Sequence, residues 1–204
     1  MAERRKLSGC GTGEYEEKRS RFIAEIWPVA DEAEARGYLD KTRKKYPDAR
    51  HHCWAWILPD GAFRWSDDGE PGGTAGAPMA DILKSADVYG VMCVVTRYFG
   101  GTLLGSGGLV RAYSKATALA LADAGTEPDP EKSVLEITSR WENLDRIHRL
   151  IREYGGTLLD SDYESDPTCA ILQAELLAEK AEPFMARLVD VTGGKDSAKI
   201  FSKK

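Results

Sequence analysis

The stretch Val91-Met92-Cys93-Val94-Val95-Thr96-Arg97-Tyr98-Phe99-Gly100-Gly101-Thr102-Leu103-Leu104-Gly105-Ser106-Gly107-Gly108 reads as a buried strand, a glycine loop and the start of a helix. An unbroken apolar run rich in valine suits a strand covered on both faces. The helix that follows, 107–124, places Leu109, Tyr113, Ala116, Ala120 and Ala124 on one face at helical spacing. Arg111 and Lys115 lie one turn apart on a different face. Glycine is needed where a backbone takes positive φ or approaches something closely. A helix opening directly out of such a loop presents unpaired N–H groups and a partial positive charge. Two readings follow. The glycines serve close strand–helix packing, or the loop and helix start bind an anion with help from Arg97, Arg111 and Lys115.

Upstream, residues 21–29 read as a strand, and Asp31 caps a helix running to about residue 46. That helix has acids early and the bases Lys41, Arg43, Lys44 and Lys45 late, the order its dipole favours. Residues 52–58 and 63–66 form a pair of strands across the turn Pro59-Asp60-Gly61. A Gly/Pro-rich loop over 67–78 and a short helix complete this half. The segment Gly125-Thr126-Glu127-Pro128-Asp129-Pro130 cannot continue a helix and marks the domain break. The expected domains are therefore residues 1–127 and 131–204.

Downstream the order is strand 134–141, helix 144–154, strands 157–163 and 169–176, a helix around Phe184, Leu188 and Val191, and a last strand 197–201. Glycine pairs, Gly155-Gly156 and Gly193-Gly194, close both helices. This βαββαβ order is that of a ferredoxin-like domain. The whole chain is thus of the α+β class.

With 204 residues, 42% hydrophobic and 30% charged, the composition is that of an ordinary globular protein of two domains. No apolar run approaches the roughly 20 residues of a membrane span, and the charged start Met1–Lys6 has no apolar stretch of a signal peptide behind it. No membrane partner is expected. The four cysteines are scattered, so a reducing, cytoplasmic setting is expected. The net charge of −5 argues against non-specific coating of nucleic acid. Residues 1–128 are nearly balanced, with 17 Lys and Arg against 18 Asp and Glu, so a polyanion would meet this part.

Three groups of residues invite chemistry. The glycine loop lacks the Lys-Ser/Thr ending of a P-loop and the ribose acid of a dinucleotide fold, so no nucleotide cofactor is implied. In Arg50-His51-His52-Cys53, neighbouring side chains on a strand point to opposite faces, so the three cannot share one metal ion, and no metal is expected. His52 then satisfies a buried polar group while Arg50 and His51 face solvent or a ligand. The run Ser66-Asp67-Asp68-Gly69-Glu70-Pro71 holds three carboxylates in four residues. These acids either cap backbone N–H groups and pair with arginines such as Arg97, or they do acid–base work.

The segments 18–23 (Lys-Arg-Ser-Arg-Phe-Ile), Ala49–Cys53, Ser66–Pro71 with Gly73–Gly76, and Arg97–Arg111 together resemble the YigZ/IMPACT family. The resemblance implies an N-terminal domain similar to ribosomal protein S5 domain 2 and to domain IV of elongation factor G. It also implies a C-terminal domain similar to that factor's domain V. Eukaryotic members regulate translation through a protein partner, and bacterial members are linked with nucleic acid or the ribosome. No catalytic residues carry over.

The leading expectation is a non-catalytic RNA- or ribosome-binding protein gripping phosphates at Arg50, His51, Arg97, Ser106, Gly107, Arg111 and Lys115. One alternative is a hydrolase or phosphate-ester enzyme using His52, Asp67, Asp68 and Glu70 with a bound cation. The other is a protein-binding regulator.

Overall fold

The computed structural model describes residues 4–203; Met1–Glu3 of the charged start, and Lys204, lie outside the described residues. The chain divides into two compact units, one up to Asp129 and one from Pro130.

In the first unit, β1 (Arg5–Leu7) is followed by β2 (Gly11–Glu17), β3 (Ser20–Pro28), α1 (Glu32–Lys45), β4 (His51–Ile57) and β5 (Phe63–Ser66). Then come α2 (Gly76–Ser85), β6 (Val91–Tyr98), α3 (Gly105–Ala124) and β7 (Thr126–Pro128). A five-stranded sheet runs in the order β2-β3-β6-β4-β5, every pairing antiparallel. Its central strand β6 is covered on both sides, which explains its unbroken apolar run. Cys93 and Val95 join Phe22, Ala24, Met79, Ala112 and Tyr113 in one core. Met92 and Val94 join Ala35, Leu39 and Trp56 in another, beneath α1. Asp31 caps α1 as its sequence predicts, its carboxylate accepting from the Glu34 N–H at 2.8 Å.

Three strands escape the sequence reading. β2 carries two glycines and three glutamates, a composition poor for strands. Tertiary packing overrides it. A Cβ on Gly13 would stand 2.5 Å from the Ala120 backbone nitrogen, and one on Gly11 would overlap the Ala120 carbonyl. The glycines let the strand lie directly on the alanine face of α3. β1 and β7 are three residues each, and they pair Arg5 with Pro128 and Leu7 with Thr126. Thr126–Pro128, read from sequence as part of a structureless break, is therefore a strand of the first unit.

The second unit holds β8 (Lys132–Arg140), a 3-10 turn, α4 (Leu144–Glu153), β9 (Thr157–Asp162), β10 (Cys169–Leu177), α5 (Ala178–Thr192) and β11 (Ser197–Lys203). Its sheet runs β11-β8-β10-β9, all antiparallel. This is the ferredoxin-like arrangement, and it rests on a core of Leu135, Ile147, Leu172, Phe184 and Leu188. Gly193 ends α5 in the left-handed conformation, φ 60°, and Gly194 N–H bonds the Val189 carbonyl at 2.8 Å. The molecule is thus a two-domain α+β protein.

Candidate functional site

Strand pairing decides what can meet. His51 on β4 stands directly opposite Arg97 on β6, and Phe22 on β3 flanks Arg97 from the other side. His51, Arg97 and Phe22 therefore share the face that carries α2 and α3. His52 points the other way, where its Nδ1 lies 3.1 Å from the Thr96 hydroxyl.

Arg97 is buried, and its Nη1 donates to Glu70 Oε1 at 2.6 Å. The Tyr113 hydroxyl donates to the same oxygen at 2.9 Å. Cys53 Sγ lies 3.3 Å from that hydroxyl and 2.9 Å from the Asp67 carbonyl. Burial raises both the Tyr113 hydroxyl and the Cys53 thiol above their ordinary values. Burial thus disfavours the thiolate, the nucleophilic form of this side chain. Arg97 also lies against the rings of Phe22 and Phe99, at 5.5 and 5.6 Å from their centroids.

The acidic loop is held by its own backbone. Asp67 accepts N–H bonds from Gly73, Ala75 and Gly76 at 2.8 to 3.0 Å, filling the start of α2. Asp68 accepts from the His52 N–H at 2.7 Å and from Arg43 at 3.1 Å. The Asp68 carbonyl lies 2.8 Å from His51 Nδ1. So the four residues of the alternative enzyme reading, His52, Asp67, Asp68 and Glu70, do not converge. Each serves a different partner because the alternation of β4 and the turns of 67–76 aim them apart. Among the described residues, no group of three or more His, Cys, Asp or Glu is placed to hold a metal ion.

Beside this network opens a cleft of about 660 Å³, lined by Asp48, Arg50, His51, Arg97, Tyr98, Phe99 and Leu103. The Tyr98 hydroxyl donates to Asp48 at 2.8 Å, while Phe99 and Leu103 are 56% and 83% exposed. Three of the sequence-predicted residues, Arg50, His51 and Arg97, thus share one cleft. Ser106 and Gly107 lie instead in the exposed first turn of α3, which no side chain caps. Arg111 reaches back toward them; a Cβ on Gly107 would stand 3.7 Å from its Nη1. Lys115 is exposed one turn further along. Leu103 links the two groups, lining the cleft two residues before the helix begins.

Three contributors, Phe99, Lys18 and Arg19, are not among the sequence-predicted site residues. Phe99 was visible as half of an aromatic doublet after an arginine, but its exposure was not. Lys18 and Arg19, exposed at the positive-φ turn between β2 and β3, reach this end of the sheet because Gly100 packs against the Arg19 backbone. Their signal in the sequence was two adjacent bases between strands.

His52 gives a pH prediction. Burial lowers its imidazole value, outweighing the attraction of Asp68; Arg43 and His51 lower it further. The unfolded chain, with imidazole near 6.5, then binds more protons than the folded one. Stability is therefore full above about pH 6.5 and falls as pH drops below it, by at most about 1.4 kcal/mol per unit. Four of the five tryptophans lie in the first unit, so fluorescence-monitored urea unfolding between pH 7.5 and 5.5 reads this loss. His52→Gln should flatten the slope; an unchanged slope would assign it to other groups.

Fold and cleft define a two-domain α+β protein with an open, cation-bordered cleft on its first unit. The family model described as the Impact N-terminal domain matches residues 18–121, and a second, described as a domain of unknown function (DUF1949), matches residues 142–195. The chain is 37% identical over 181 residues to the IMPACT family member YigZ of Escherichia coli strain K12, covering 87% of each chain. It is also similar to a crystal structure of a hypothetical protein, with 33% identity, TM-score 0.72, and coverage of 99% of this chain and 98% of that one. A Saccharomyces cerevisiae Protein IMPACT homolog is 37% identical over 94 residues, 44% of this chain and 36% of its own. The chain belongs to the IMPACT family.

Among the described residues no helix is long and apolar enough to cross a membrane.

Proposed function

We propose that the first unit binds RNA of the translation apparatus, without catalysis, at the cleft and the adjoining start of α3. One observation carries this reading: an exposed cation, Arg50, shares the cleft with an exposed aromatic, and further exposed cations lie on the adjoining elements. Among the described residues, Lys18, Arg19, Arg50, Arg111 and Lys115 make no ion pair, whereas Arg43 and Lys45 of α1 do. Phe99 lies open in the same cleft. Cations track a phosphate backbone, and an exposed ring stacks on unpaired bases.

Arg97 takes a different part from the one its sequence position suggests. Its charge is matched by Glu70 and it is nine-tenths buried, so it shapes the wall and orients Phe99, while the surface arginines meet phosphates. The uncapped N–H groups of Ser106 and Gly107 offer a further phosphate contact beside Arg111. Family membership supports the link with translation.

The test is fluorescence anisotropy with a labelled single-stranded RNA between 50 and 250 mM salt. Affinity should fall steeply with salt. Arg50→Ala and Arg111→Ala should each weaken binding and lower the salt slope by about 0.7, the share of one single-strand phosphate contact. Binding that ignores both salt and these substitutions removes the reading.

A further inference from the structure

We propose that the cleft distinguishes RNA from DNA, with His51 reading the ribose 2′-hydroxyl. The inference rests on the RNA-binding reading above and adds to it the sugar chemistry.

The geometry of His51 leads to it. Its Nδ1 faces the Asp68 carbonyl at 2.8 Å, and a carbonyl oxygen can only accept, so Nδ1 carries the proton. With the proton on Nδ1, the lone pair of the uncharged ring is on Nε2, and His51 lines the cleft. The ring is held in place: Gly69 lies against it, where an added Cβ would stand 3.4 Å from Nδ1. The bond thus favours the tautomer protonated on Nδ1 in a side chain on the cleft wall. The other charged groups on these walls are Arg50, Arg97 and Asp48, and Asp48 already takes the Tyr98 hydroxyl.

An acceptor beside cations selects a ligand carrying a hydroxyl donor next to an anion. Arg97 is the direct cross-strand neighbour of His51, and side chains so paired are adjacent on one face. Arg50, exposed on the same cleft and next to His51 in the chain, supplies the cation for the anion. A ribonucleotide offers the matching arrangement, with the 2′-hydroxyl as donor and the neighbouring phosphate as anion. The 2′-hydroxyl is the group by which a protein tells RNA from DNA. A deoxynucleotide would leave Nε2 unpaired.

Three labelled oligonucleotides of one length test this: oligo(U), oligo(dU) and 2′-O-methyl oligo(U), which keeps an RNA-like sugar but cannot donate. The intact chain should bind oligo(U) about fivefold more tightly than either of the others, the worth of one ordinary hydrogen bond. His51→Ala should bind all three alike, at the wild-type oligo(dU) affinity. Equal wild-type affinities with salt dependence intact would overturn the role of His51 and leave RNA binding standing. A preference for oligo(U) that survives His51→Ala would also overturn it. Salt-independent or absent binding of all three removes both. Should His51→Ala fail to fold by circular dichroism, the wild-type comparison of oligo(U) with its 2′-O-methyl form decides.

Discussion

Glu70→Ala should lower the stability of the first unit by about 3–5 kcal/mol, the cost of breaking one side of a buried ion pair. The carboxylate holds Arg97 at 2.6 Å and Tyr113 at 2.9 Å through a single oxygen, and both ion-pair partners are under 10% exposed. Its removal leaves a guanidinium whose Nε already lacks a partner with no anion beside it. The melting temperature followed by tryptophan fluorescence should drop by roughly 10–15 °C for a unit of this size. A double replacement, Glu70→Leu with Arg97→Met, should recover most of the loss, since well-packed apolar residues replace a buried pair at little cost. A single variant within about 1 kcal/mol of wild type would show that solvent reaches this pair freely.

Phe184→Ala should cost the second unit about 3–5 kcal/mol. Phe184 is fully buried and meets Tyr154 edge-on, with ring centroids 5.6 Å apart. A unit of this size has a total stability of roughly 4–11 kcal/mol, so one truncation consumes much of it. Hydrogen exchange should then show β8 and β10, the two central strands, losing their protection. Retained protection there would mean that the core collapses around the gap.

Much of this was legible because local pattern and tertiary role agree. The apolar run of β6 is buried on both faces, Asp31 caps α1, and glycine pairs end α4 and α5. The second unit, whose β10 alternates cleanly between its two faces, could be read strand by strand. β2 could not, because its glycines and glutamates make sense only against α3; the alanines at 116, 120 and 124 were the faint sign of a backbone pressed close.

The site was legible in parts for the same reason. His51 and Arg97 sit on regular strands, so register brings them together, and Arg50 immediately precedes β4. Asp67, Asp68 and Glu70 lie on turns, where direction depends on dihedral angles such as the φ of 41° at Asp68. Composition alone leaves both metal ligands and backbone caps open. The turns select the caps.

The pairing of β1 with β7 has a consequence of another kind. Arg5 and Pro128 are cross-strand neighbours, and Arg4 is tied to Asp129 by an ion pair at 3.1 Å and by a backbone bond of 2.8 Å. The path into the first unit and the path out of it are fastened side by side, like the two ends of a buckle. A segment fastened in this way is transposable. It can be spliced into another polypeptide, or cut elsewhere and rejoined across the buckle, with little displacement inside. That two separate family models meet this chain on either side of the fastening fits such a portable part.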